Sequence, residues 1–173
     1  MPENLEESLS KEKILEMFYA LGGDLDKINA AIDAKMAHSR VRKISTFETF
    51  IKSRISVNPR ILKMARMEIS TAEGVYLSQY PGLSEVEVLD LRQNYLGDEG
   101  LDAIAHSEVL KNLRELDLRS NQITRAGLES LARSTTLNCL ERLDLRLNRL
   151  GKRWESKLLE GEHLPRLREV RTV

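Results

Sequence analysis

Leu113-Arg114-Glu115-Leu116-Asp117-Leu118-Arg119-Ser120-Asn121 decides the fold, because the chain repeats its pattern on either side. Val86-x-x-Leu89-x-Leu91-x-x-Asn94 precedes it by 27 residues, and Leu140-x-x-Leu143-x-Leu145-x-x-Asn148 follows it by 27. A unit this short cannot bury its apolar residues alone, but stacked copies can. Alternation predicts a strand at 88–92, 115–119 and 142–146, with Leu89 and Leu91 and their counterparts inward. Val88, Asp90 and Arg92 then point to the other face. Asn94, Asn121 and Asn148 fall where each strand ends. Their amides can both donate to and accept from backbone groups that the turn leaves unpaired.

The segments between strands repeat as well. Leu96-Gly97-x-x-Gly100-Leu101-x-x-Ile104-Ala105 aligns with Ile123-Thr124-x-x-Gly127-Leu128-x-x-Leu131-Ala132. Leu101, Ile104 and Ala105 have helical spacing, so the return segment is predicted to be a helix. Over residues 82–150 the pattern resembles the ribonuclease-inhibitor type of leucine-rich repeat, also seen in bacterial proteins of this class. The resemblance implies an α/β fold: a short right-handed solenoid with a parallel sheet on its concave face. Cys139, just before Leu140, fits that type too, and the motif position predicts that it is buried.

Both ends of the array are degenerate, as terminal repeats are. Residues 58–81 read as a capping repeat with Leu62, Met64 and Met67 one period before Leu89, Leu91 and Asn94. Downstream, Trp154 stands where Gly127 stood and is predicted to cover the last coil. Leu167-x-x-Val170 opens a final strand, making about five. The chain thus divides into a helical cap at 1–57 and a repeat region at 58–173.

The first 57 residues read as three short helices. Asn4-x-x-Glu7 and Ser45-x-x-Glu48 have the form of capping boxes, and Asp24 can cap the middle helix. Gly22-Gly23 stops the first helix and Asn58-Pro59 ends the third. A small bundle here would cover the apolar core that the first coil leaves open. Residues 1–34 carry three basic and eight acidic side chains, whereas 35–56 carry six basic and one acidic.

The 27 basic and 27 acidic residues cancel, so no overall field draws the chain to nucleic acid or membrane. One cysteine excludes an internal disulfide and suits a reducing compartment. The absence of an apolar leader or membrane-length stretch makes the cytoplasm the expected location. His38, His106 and His163 have no metal-ligand spacing with Cys139, and no phosphate-binding, hydrolase or dinucleotide fingerprint occurs. No cofactor, metal or catalytic residue is predicted.

The candidate site is the solvent face of the sheet. Asp90, Asp117 and Asp144 form one column and Arg92, Arg119 and Arg146 another, with Glu115 and Arg142 beside them. Such a lattice either keeps the sheet soluble or recognises a partner, with the arginines offering bidentate contacts to its carboxylates. The function predicted is a non-catalytic protein-interaction module, an adaptor or scaffold binding a protein partner through the concave face. It would be a monomer, or a weak dimer through the edge at 168–173. The alternative is a nucleic-acid-associated regulator using the basic 35–56 segment; regulation of a GTPase is implied by fold analogy alone.

Overall fold

The structure is a computed structural model that describes residues 9–37 and 41–173. Three helices open it: α1 (Lys11–Ala20), α2 (Leu25–Lys35) and α3 (Ile44–Ile55). Strands and helices then alternate. They are β1 (Ile61–Lys63), α4 (Thr71–Gln79), β2 (Val88–Asp90), α5 (Gly97–Ala105), β3 (Glu115–Asp117), α6 (Arg125–Leu131), β4 (Arg142–Asp144), α7 (Arg153–Leu159) and β5 (Glu169–Arg171). The five strands form one parallel sheet in sequence order. Parallel neighbours need a crossover, and each helix supplies one.

The register is the sequence period. Leu62 pairs with Leu89, Leu89 with Leu116, Leu116 with Leu143 and Leu143 with Val170, each step being 27 residues. This column is buried throughout, as is the next one, Met64, Leu91, Leu118 and Leu145. The strands are three residues long rather than five. Gln93, Ser120 and Leu147 take positive φ just before each asparagine and turn the chain away from the sheet.

Asn94, Asn121 and Asn148 are buried and bond the coil before them. Asn94 Oδ1 accepts the N–H groups of Met67 and Ile69, each at 3.0 Å, and its Nδ2 donates to Met64 O at 3.0 Å. Asn148 repeats this on Asn121 N, Ile123 N and Leu118 O. Helices α4, α5 and α6 pack one on the next. A Cβ on Gly127 would stand 3.3 Å from Asp98 Cα, so glycine permits that approach. Trp154 takes the equivalent position in α7. It is buried, and α7 packs on β5 while scarcely touching α6.

The opening helices lie on the first coil. Tyr76 of α4 meets Phe18 of α1 and Phe47 of α3 with ring centroids 5.5 and 6.3 Å apart. Ile14, Ile28, Phe47 and Ile51 join the same apolar core as the repeat leucines. Asp24 caps α2 as the sequence predicts, and Gly22 and Gly23 take positive φ after α1. Ser45 and Glu48 do not form a capping box. Helix α3 begins at Ile44, and its first donors are taken by Asp33 of α2, which accepts Ile44 N at 2.6 Å and the Ser45 hydroxyl at 2.6 Å. Glu48 instead points inward, where it accepts from Asn29 and Tyr80. Among the described residues a capping box joins Ser70 and Glu73 at α4. The Asn4–Glu7 pair, His38 and Arg40 lie outside the described residues.

Candidate partner-binding face of the sheet

Each strand presents two side chains outward, and the 27-residue register stacks them. One column is Ile61, Val88, Glu115, Arg142 and Glu169; the next is Lys63, Asp90, Asp117, Asp144 and Arg171. Arg92, Arg119 and Arg146 follow two residues beyond each aspartate. All eight sequence-predicted residues, Asp90, Arg92, Glu115, Asp117, Arg119, Arg142, Asp144 and Arg146, therefore share one face. Between them an open groove of about 310 Å³ crosses the sheet, floored by the three aspartates and flanked by Glu115 and Arg142.

The aspartates are half-buried, and each is bound within its own coil. Asp90, Asp117 and Asp144 accept the N–H of Arg92, Arg119 and Arg146, each at 3.2 Å. Arg119 also places Nε and Nη2 on the Asp117 carboxylate, at 3.0 and 2.6 Å, and Arg146 does the same on Asp144 at 3.0 and 2.7 Å. Arg92 lies farther from Asp90, at 3.6 Å. Between coils, Arg119 Nε reaches Asp144 Oδ2 at 3.6 Å, and Arg142 pairs with Glu115. The two-pronged forks that the sequence assigned to a partner's carboxylates are thus already filled at Arg119 and Arg146. Of these pairs the aspartates line the groove, while Arg92, Arg119 and Arg146 stand beside it.

The electrostatics follow the contacts. Hydrogen bonding to Asp117 raises Arg119 above the ordinary guanidinium range, and Asp144 does the same for Arg146. Burial works against ionisation of Asp144, but the bonds from Arg146 outweigh it and hold the carboxyl below the usual range.

A further column escaped the sequence reading. Arg60, Glu87, Arg114 and Glu141 sit one residue before the strands and pair in succession, at 3.4, 3.6 and 3.2 Å. Its signal was the sign alternation at a 27-residue spacing. Cys139 departs from expectation: it is half-exposed, because its turn position matches that of exposed Asn112 and Arg166 rather than that of a core leucine. Among the described residues no three His, Cys, Asp or Glu side chains are grouped to hold a metal, and no helix is long and apolar enough to cross a membrane.

Residues 85–105 and 109–132 match the sequence pattern of the family described as Leucine Rich repeat. The chain is a leucine-rich repeat protein. No protein of curated function matches it in sequence. Each matched segment holds one strand, its turn asparagine and one helix, so the leucine-rich repeat unit is also the structural unit. Repeats of this family point to protein partners, since the stacked strands make an extended surface and little else.

Proposed function

We propose that this chain is a non-catalytic adaptor or scaffold that binds a protein partner through the outward, concave face of its sheet. One observation carries the reading: a groove crossing the sheet, lined by charges that the register aligns from coil to coil. Glu115 and Arg142 are its variable positions and would set specificity. Asp90, Asp117 and Asp144, each held by Arg92, Arg119 or Arg146, make a rigid ionic floor against which a partner's charges align. The single cysteine and balanced charge support a cytoplasmic setting.

The basic 35–56 segment favours the alternative less. Arg42 is spent on Glu73 at 2.7 Å and on the Met67 carbonyl, and it lies over the Phe47 and Phe50 rings. Lys52 pairs with Glu48 at 2.8 Å, and Arg54 donates to the Lys63 carbonyl. Cations engaged in such internal contacts are not free for phosphates.

The test compares capture of partners from native extract by the wild-type chain and by Arg142→Glu. Arg142 is exposed, so the change leaves the core alone. Loss of the captured protein, with an unchanged circular dichroism spectrum, supports the sheet face; equal capture overturns it.

A further inference from the structure

The charged sheet is not the surface with the least internal use. Where the turns of the last coils meet α7, a cleft of about 800 Å³ opens, bounded by Arg125, Leu147, Arg149 and Arg153. Its origin is the exchange of glycine for tryptophan. Gly127 lets α6 close on the preceding coil, whereas Trp154 fills that place in α7, which stands off from α6.

Three observations describe what the cleft would hold. The first is charge. No carboxylate lines it, and among the described residues neither Arg149 nor Arg153 is paired with one, although both are exposed. Arg125 alone is engaged, by Glu129 one turn along the same helix face and outside the cleft lining. The second is a reversal between coils. Asp98 offers its carboxylate to the Thr124 N–H at 2.8 Å and to the Thr124 hydroxyl. One period later Arg125 stands where Asp98 stood, and Gly151 where Thr124 stood, so an anionic junction becomes a cationic one. The third is Leu147. It is 74% exposed and held at φ 63°, a backbone conformation that a leucine adopts at a cost. Gln93 and Ser120, its counterparts, are polar. A leucine here gains nothing from the fold.

We propose that this cleft is a second docking site, for an acidic protein segment that carries a bulky apolar side chain. Arg149 and Arg153 take its carboxylates, to which planar guanidinium forks are matched. Leu147 takes the apolar side chain. Nucleic acid fits less well. The chain has no net charge, the free cations are few, and a phosphate backbone makes no use of an exposed leucine. The site is separate from the sheet groove and stands whether or not that groove binds anything.

Fluorescence anisotropy of the full chain tests this, with a labelled peptide alternating glutamate and leucine, the same peptide with alanine for leucine, and a random-sequence DNA duplex. Arg149→Asn with Arg153→Gln removes the cations, and asparagine tolerates the positive φ of Arg149. Leu147→Asn removes the apolar contact by the same logic. The leucine peptide is expected to bind, more weakly as salt rises. The double variant should bind it at least about tenfold more weakly. Leu147→Asn should abolish the preference for leucine over alanine, and Arg142→Glu on the sheet should change none of this. The proposal is overturned if the peptide fails to bind, if either cleft variant binds it as the wild type does, or if the duplex binds more tightly at the same salt.

Discussion

Asn148 Oδ1 accepts the backbone N–H of Asn121, 27 residues earlier, at 2.8 Å. The same oxygen accepts the Ile123 N–H at 3.1 Å, while Asn148 Nδ2 donates back to Leu118 O at 2.9 Å. One amide therefore closes three backbone groups of the neighbouring coil, all buried from water. Neither a leucine nor a carboxylate could replace it, because the coil presents both donors and an acceptor.

Removing one rung tests this. Asn121→Ala leaves the Leu96 N–H without its acceptor and takes one of two donors from the Leu91 carbonyl, the other being Asn94 Nδ2, so it should lower stability by about 1–3 kcal/mol. Asn112→Ala loses one exposed bond, to the Ser84 carbonyl, and should cost about 0.5 kcal/mol or less. Urea midpoints of the two variants decide, and equal midpoints remove the special role of the ladder.

Leu147→Asn should stabilise the fold. The leucine bears the left-handed backbone without burying its side chain, and asparagine relieves the backbone cost by about 0.5–1 kcal/mol. A rise in the denaturation midpoint checks it.

Glu48→Ala should be severe. Glu48 is buried and accepts from Asn29, from the Tyr80 hydroxyl at 3.2 Å and from Lys52 at 2.8 Å. Its loss leaves the buried Asn29 and Tyr80 donors without their acceptor, while exposed Lys52 is taken up by water, and should cost about 1–3 kcal/mol for each stranded donor. Thermal unfolding that shifts by only a degree or two would contradict it.

Asp102 couples the opening helices to the repeats and should make part of the stability depend on pH. Burial raises its carboxyl, but the hydrogen bond from Lys11, at 2.6 Å, and that from Ser130 leave it lowered from 3.8. A depressed folded-state value means that the stabilisation is complete above about 3.8, the unfolded value, and fades as pH falls through the folded one. Asp102→Asn should therefore flatten the acid limb of stability against pH below that point, while at neutral pH it removes the contribution outright. Denaturation midpoints from neutral pH down to acid read this directly.

Arg119→Ala should scarcely alter folding, since its pair with Asp117 is partly solvated and worth under about 1 kcal/mol. Against a partner bound on the sheet it should weaken affinity by about 1–3 kcal/mol if the pair lies centrally. Calorimetry that finds affinity and salt dependence both unchanged would assign the lattice to solubility alone.

The period of 27 was enough to place Leu89, Leu116 and Leu143 in one buried column and the three asparagines in one ladder, because a repeated pattern must stack like on like. It also placed the aspartates and arginines on one face, since alternation along a strand is local geometry. Capping was legible where the partner is near in sequence, as at Asp24. It was misread at Ser45, because the group that caps α3 is Asp33, on a neighbouring helix.

Sequence by itself thus determined the repeat, the parallel sheet and the residues on its outer face, all consequences of backbone geometry applied at a fixed spacing. Tertiary structure alone decided how the charges are spent. Arg119 folds back on Asp117, Arg42 serves the first coil, and Arg149 and Arg153, beside Leu147, meet no carboxylate among the described residues. A charged side chain has several carboxylates within reach of its length, and only the packed coils fix which one it meets.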